Sequence, residues 1–411
     1  MPRTAEIIAV GSELLTGGVT NTNARFLSEL LTAAGVDVLY HTAVGDDDNR
    51  LEAAVTAAAR RAELLVFTGG LGPTYDDLTK EICAEAFGLP LELHQPTLDR
   101  IVARFAAMGR PMTPNNEKQA WLPHGCTVFP NDWGTAPGCA IERGGKYLLM
   151  LPGPPRECRP MFRHCAMPYL AALSGSAIHS DWIRLFGIGE SAMEDRLRPL
   201  MESSVNPSLA PYAKEGECLV RVTSRAASDA EAAAQNAPYV RAVCDLLSDF
   251  VYGVNVSSLE QVAVERLRET GRTLACAESC TGGLLAKRIT DVPGASAVFL
   301  GSAVTYANSA KTRLLGVSPD TLAAHGAVSA ETASEMAAGA RSLYGSDYAL
   351  ATTGIAGPAS DNTAKPVGLV YIALATPDGV TVREHHFTGD RARIRHAAAS
   401  NALDMLRRAL I

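Results

Sequence analysis

The opening of the chain alternates short apolar runs with amphipathic ones, and this alternation limits the possible folds more than any other feature. Runs at 5–10, 36–43 and 64–68 read as strands, and those at 23–34 and 49–61 as helices, the first stopped by Gly35. Strands alternating with helices build a mostly parallel sheet covered on both faces, and such sheets bind ligands beyond the carboxyl ends of their strands. The expected fold class is α/β, with a doubly wound, mostly parallel sheet in the amino-terminal domain. The loops at those strand ends are GSELLTGG (11–18), VGDDD (44–48) and TGGLGPTYDD (68–77). Glycines let backbone amides approach phosphate, and the adjacent Asp76 and Asp77 suit a hard divalent cation that bridges phosphate oxygens. The plainer alternative is a glycine turn with one aspartate capping the helix from about residue 78.

The same strand, small-residue turn and helix return in the carboxy-terminal third. An apolar strand at 272–277 runs into ESCTGG (278–283) and a helix through 289. Ser279 reads here as a helix cap or a supporting, ligand-binding hydroxyl. A strand at 298–306 is followed by the cap residues Asn308 and Ser309 and a short helix, 310–315, closed by Gly316. Lys311 then falls in a first helical turn, where the helix dipole disfavours positive charge and lowers its pKa. A partly neutral amine can serve as a base. The central expectation is that Ser296, in PGAS (293–296), is a nucleophile with Lys311 as its base and Tyr306 placed to relay a proton. A strand at 347–353 ends in TGIAGP (353–358), whose amides around Gly354 suit an oxyanion hole. The last helix opens near residues 389–391 and brings arginines.

Composition sets the remaining bounds. A chain of 411 residues holds two or three domains. A net charge of −7 without a basic run argues against nucleic-acid binding. Nine cysteines with no CxxC pair argue against a disulfide framework or structural zinc. With no signal-peptide layout and no apolar run of membrane-spanning length, a soluble cytoplasmic protein is expected, with no membrane partner. Residues 175–250 read as a small α+β module of order βαββα. Its GIGE (187–190) is not a GxxG nucleic-acid clamp, so a spacer or dimerisation role, and hence a homodimer, is expected. A polar helical stretch at 113–121 and a hairpin at 139–151 lead to PGPP (152–155), a stiff turn able to wall a pocket.

GSELLTGG, TGGLGPTYDDLTKE and LPGPPREC resemble the amino-terminal domain of the CinA family (competence/damage-inducible protein A), over about the first 170 residues. That resemblance implies a molybdopterin-binding-like fold and a metal-dependent ADP-ribose pyrophosphatase activity. It implies that Asp76 and Asp77 hold Mg²⁺ or a similar ion, and that Gly69, Gly70, Gly72 and Thr74 cradle phosphate. Glu13 is a further polar candidate. It also implies a KH-like middle module. AESCTGG, VPGASAVFLGSAVTYANSAK, GAVS and TGIAGP resemble the family's carboxy-terminal domain, which is similar to the PncC nicotinamide-nucleotide amidases, over roughly 255–411. The implied reaction is hydrolysis of nicotinamide mononucleotide to nicotinate mononucleotide and ammonia, without a metal or other cofactor. By motif, Ser296 is the nucleophile and Lys311 the base, and Tyr306, Ser279 and Thr353 assist. Thr281, Gly282, Gly283 and Gly354 line the substrate, and Arg391 or Arg393 holds its phosphate. After GIAGP the chain reads Ala359-Ser360-Asp361-Asn362, where family members often carry glycines. The expected domains are 1–172, 173–252 and 253–411. The two rival readings are a molybdopterin-related enzyme and a non-catalytic partner in competence or DNA damage.

Overall fold

The computed structural model describes residues 2–173, 177–214, 216–360 and 364–410; Asp361 and Asn362 of the divergent loop lie outside them. The chain forms two compact units, Met1–Ser180 with Thr223–Ala237, and Asp181–Val222 with Pro238–Ile411.

In the first unit a six-stranded sheet runs in the order Asp37–Val44, Thr4–Val10, Leu64–Thr68, Lys146–Leu151, Gly138–Arg143, Thr127–Phe129. Its first four strands are parallel, Gly138–Arg143 runs antiparallel to Lys146–Leu151, and Thr127–Phe129 runs antiparallel to Gly138–Arg143. The central strand Leu64–Thr68 is buried along its whole length, as a strand covered on both faces must be. One face packs around Leu27, Leu31 and Phe162, the other around Leu51, Val55 and Cys83. The polar stretch expected as a helix is a 3-10 helix, Pro114–Ala120, followed by a short strand Trp121–Pro123 paired with Leu91–Leu93. Lys80, 1% exposed, holds this turn by donating to the carbonyls of Lys118, Gln119 and Trp121 at 3.0–3.1 Å.

The middle module is a four-stranded sheet, ordered Ser208–Lys214, Glu217–Ala226, Ala177–Leu185, Val251–Val254, with helices Glu190–Ser203 and Asp229–Leu246. Val251–Val254, just past the 175–250 stretch read as the module, is its fourth strand, antiparallel to Ala177–Leu185.

The carboxy-terminal sheet repeats the pattern of the first with five strands: Phe299–Val304, Leu274–Glu278, Tyr348–Gly354, Leu369–Thr376, Gly379–His386. The first three are parallel, Leu369–Thr376 runs antiparallel to Tyr348–Gly354, and Gly379–His386 runs antiparallel to Leu369–Thr376. Helices Leu259–Glu269 and Arg391–Ala409 cover one face through Leu267, Ile394 and Leu403, and Ala330–Tyr344 covers the other through Met336 and Ala337. This topology sets Leu274–Glu278 between its two parallel neighbours. The loops that leave their carboxyl ends, beginning at Ser279, Thr305 and Ile355, therefore open on one edge of the sheet. No described helix is long and apolar enough to cross a membrane.

Candidate active site

At that edge the side chain of Lys311 turns inward. Helix Asn308–Leu315 starts just beyond strand Phe299–Val304, and Lys311 is 1% exposed. Its Nζ lies 2.8 Å from Thr305 O, 3.4 Å from Tyr306 O and 3.1 Å from Ser279 Oγ. Among the described residues no carboxylate pairs with it. Burial holds its pKa below the ordinary lysine value; desolvation, rather than the helix dipole, is the cause. A neutral amine has two N–H donors and one lone pair. The two carbonyls accept the two hydrogens, so the lone pair is left for the Ser279 hydroxyl.

The expected Ser296–Lys311 pair does not form. Ser296 is exposed on a single 3-10 turn, Ala295–Ala297, before the amino end of strand Phe299–Val304, whereas Lys311 follows its carboxyl end. Six strand residues span about 20 Å, so the two side chains belong to opposite edges of the sheet. Nor does Ser279 cap a helix: helix Leu284–Thr290 is preceded by Gly283, in the left-handed region at φ +92°, with no side-chain cap.

Helix capping is done by a residue to which the sequence reading gave no role. Glu278 ends an otherwise apolar strand and is fully buried. Its carboxylate accepts from the amides of Gly283, Leu285 and Ala286 at 2.9–3.0 Å, and from the Thr281 and Ser302 hydroxyls at 2.8 and 3.1 Å. The clue was available, because a carboxylate closing a buried strand in front of a helix start is tolerable only if that helix supplies donors. Glu278→Ala leaves three amides and the Ser302 hydroxyl without their acceptor, and is expected to cost about 3–5 kcal/mol of stability, as breaking a buried charged cluster does. Chemical denaturation with urea checks this; a loss below about 1 kcal/mol would contradict it.

The turn carrying Ser279 is fixed from other sides too. Ser279 N donates to Thr352 O at 2.9 Å, and the Thr281 and Thr352 hydroxyls share a 2.7 Å bond. From the last helix, Arg395 donates through Nε and Nη2 to Thr281 O at 3.2 and 2.6 Å. Arg391, not Arg393, reaches the loops: it donates to Gly357 O at 2.7 Å and to the exposed Tyr306 hydroxyl at 2.9 Å. Arg393 contributes its backbone N–H to the Asp390 cap. Thr353 is fully buried and its hydroxyl donates to Ala327 O at 2.6 Å, so it anchors a loop rather than facing Ser279. Gly354 meets Leu369 O and Val370 so closely that a Cβ would lie 2.6 Å away. The next amide, Ile355 N, donates to Leu369 O and is not free for an oxyanion. Among the described residues no oxygen accepts from the amides of Cys280 and Thr281, which are directed at the Cys280 sulfur. Burial pushes the Cys280 thiol up to about 11, which keeps it protonated and without the nucleophilicity of a thiolate.

The amino-terminal unit holds a second site. The loops after its four parallel strands line a cavity of about 570 Å³ that includes Glu13, Asp46, Gly69, Gly70, Gly72, Thr74, Asp76, Asp77 and Glu157. Gly69 has φ +98°, and a Cβ there would sit 2.2 Å from Val10 O; at Gly70 it would sit 2.1 Å from Thr79 Oγ1. Only glycine permits this approach. Thr74 does not face the cavity as a free hydroxyl, because its N–H and Oγ1 donate to Asp77 Oδ2 at 2.9 and 2.5 Å. Neither aspartate caps the following helix, Thr79–Ala86, whose cap position is Leu78. Lys118 pins the loop by donating to Thr74 O and Asp77 O at 3.1 and 2.6 Å. Among the described residues no three His, Cys, Asp or Glu side chains form a ready metal cage. Mg²⁺ keeps several waters and takes one or two carboxylates plus substrate phosphate, and the donor set of Asp76 and Asp77 fits that kind of binding.

Comparison with known proteins finds three family matches along the chain. Residues 6–172 match the family described as "Probable molybdopterin binding domain", 180–253 "Damage-inducible protein CinA KH domain", and 256–410 "CinA C-terminal domain". A CinA-like protein of Desulfovibrio desulfuricans is 51% identical over 409 residues, covering 98% of this chain and 95% of the relative. One from Dictyoglomus turgidum is 47% identical over 406 residues, covering 99% of each. The crystal structure of competence/damage inducible protein CihA from Agrobacterium tumefaciens is 41% identical; the match covers 38% of this chain and 96% of that one, with a TM-score of 0.36. With identity near one half sustained from end to end, the chain belongs to the CinA family.

Proposed function

We propose that the carboxy-terminal domain is a serine–lysine amidase acting on nicotinamide mononucleotide. The observation that carries this reading is the buried, carboxylate-free Lys311 amine 3.1 Å from Ser279 Oγ. Lys311 takes the Ser279 proton as Oγ attacks the carboxamide carbon. The amides of Cys280 and Thr281, next to the nucleophile, are suited to the developing oxyanion. Lys311 then returns the proton to the departing nitrogen, so that ammonia leaves and an acyl ester remains on Ser279. Water, deprotonated by the same amine, cleaves the ester to nicotinate mononucleotide and restores the hydroxyl. Arg391, held at the rim by Tyr306 and Gly357, is the cation placed for the substrate phosphate.

The amino-terminal domain supports a second hydrolysis, of the pyrophosphate in ADP-ribose. Its cavity offers glycine backbone for phosphate, and Asp76 and Asp77 for a divalent ion. Bound there, such an ion would neutralise phosphate charge and activate water. The two reactions separate with a chelator. In EDTA, ammonia release from nicotinamide mononucleotide is expected to continue unchanged while AMP release from ADP-ribose stops. Loss of ammonia release in EDTA would overturn the metal-free serine–lysine mechanism.

A further inference from the structure

Two cysteines that neither site uses lie against each other in the amino-terminal unit. Cys139 is fully buried on strand Gly138–Arg143, paired with Val128 on one side and Met150 on the other. Cys126 lies in the turn between Trp121–Pro123 and Thr127–Phe129, its N–H donating to Pro123 O at 3.1 Å, and is partly exposed. Both pack in the cluster around Leu51, Val55 and Cys83, and the Cys139 thiol is hydrogen-bonded to the Cys126 sulfur. A buried cysteine by itself is a small apolar filler. This pair differs in two ways: its thiols are bonded to each other, and one of the two residues is partly exposed. The shared bond comes first in holding the Cys126 thiol below its ordinary pKa, against the effect of burial, and the charge of Lys80 acts in the same direction. The same bond and burial push Cys139 well above its ordinary value. Cys126 is thus the readier nucleophile, and Cys139 keeps its proton.

We infer that Cys126 and Cys139 are a redox-active dithiol, closed to a disulfide by hydrogen peroxide and reopened by thiols. The Cys126 thiolate attacks one peroxide oxygen. The O–O bond breaks, the other oxygen leaves and takes up the thiol proton as water, and Cys126 becomes a sulfenic acid. The Cys139 sulfur then displaces the sulfenic oxygen, which leaves as a second water with the Cys139 proton. Two thiols and one peroxide give one disulfide and two waters, and two electrons pass from sulfur to oxygen. Closure reaches the neighbouring cavity through one short stretch. A covalent S–S bond is shorter than the hydrogen bond it replaces, and Cys139 is held by strands on both sides, so the turn of Cys126 must move. That turn continues from the carbonyls of Lys118, Gln119 and Trp121, which Lys80 clamps, and Lys118 pins Thr74 O and Asp77 O. The loop carrying Asp76 and Asp77 is therefore expected to loosen on oxidation. This consequence rests on the nucleotide reading of the cavity; the dithiol itself does not.

The test uses the full reduced chain, treated with equimolar hydrogen peroxide, blocked with iodoacetamide and mapped by peptide mass spectrometry. A peptide pair joined through Cys126 and Cys139 is expected, lighter by two hydrogens and separated again by dithiothreitol. Cys139→Ala should stop at the Cys126 sulfenic acid, which dimedone traps. In Cys126→Ala, a change at the turn rather than in the core, Cys139 should stay reduced. No joined pair in the wild type, Cys139 joined to Cys83, or Cys139 oxidised in Cys126→Ala would overturn the inference. With Mg²⁺, oxidised wild type is expected to release AMP from ADP-ribose slower by about tenfold or more, the scale of a slightly displaced site, and to recover with dithiothreitol. Cys126→Ala should keep its rate in peroxide. A disulfide that forms without changing AMP release would overturn the link to the cavity. Reduced wild type that releases no AMP would overturn the nucleotide reading, and the peptide map would still decide the dithiol.

Discussion

Lys311→Met is expected to lower kcat/KM for nicotinamide mononucleotide by about 10³-fold or more, the scale of a lost general base, without lowering thermal stability. The two halves of this expectation have one cause. Lys311 is buried with no carboxylate partner among the described residues, so its protonated form is penalised. Methionine fills much the same volume and carries no charge to desolvate. The pH dependence follows with a definite sign. The active form is the neutral amine, so kcat/KM should rise with pH along a limb below the ordinary lysine value of 10.5. The folded pKa lies below the unfolded one, and between the two the unfolded chain binds more protons. Stability therefore rises with pH across that window, and the destabilisation is complete below the folded pKa. In Lys311→Met this contribution should vanish. A variant that keeps wild-type activity, or that melts far below the wild type, would contradict the assignment.

The second large effect separates the two serines. Ser279→Ala should reduce ammonia release by about 10³-fold or more, because nucleophile and base act as a unit and loss of either removes most of the catalysis. Ser296→Ala, exposed on its 3-10 turn at the far edge of the sheet, should stay within about threefold of wild type and within about 0.5 kcal/mol in stability. Steady-state ammonia assays on the two variants, with circular dichroism to verify folding, check this. Equal losses in both would restore Ser296 to the site and demand a different arrangement of the edge.

The confusion between these serines shows what the sequence could reveal. Periodicity located the strands, and glycine runs located the turns, because both are local properties of the chain. The return of the strand–turn–helix pattern at 272–289 placed Ser279 at a ligand-binding end. What stayed hidden was strand order. Only the parallel pairing of Leu274–Glu278 with Phe299–Val304 brings residues 305–311 beside Ser279, and no local signal encodes a neighbour. Lys311 stood out in the sequence for a different reason: its position in the helix was legible, but its burial, which shifts its pKa, was not. The roles of Glu278 and Arg395 stayed hidden for the same reason. Each acts through groups remote in sequence or brought together by a turn, such as the Thr281 carbonyl for Arg395. The choice between Arg391 and Arg393 also needed the helix register, since two residues along a helix turn a side chain to another face.

The central claim is that a covalent bond forms at Ser279. Wild-type protein mixed with nicotinamide mononucleotide, quenched in acid within the first turnovers and mapped by peptide mass spectrometry, tests it directly. The account predicts the nicotinate mononucleotide acyl group on the peptide containing Ser279, and none in Lys311→Met. The same group on the peptide containing Ser296 would contradict it.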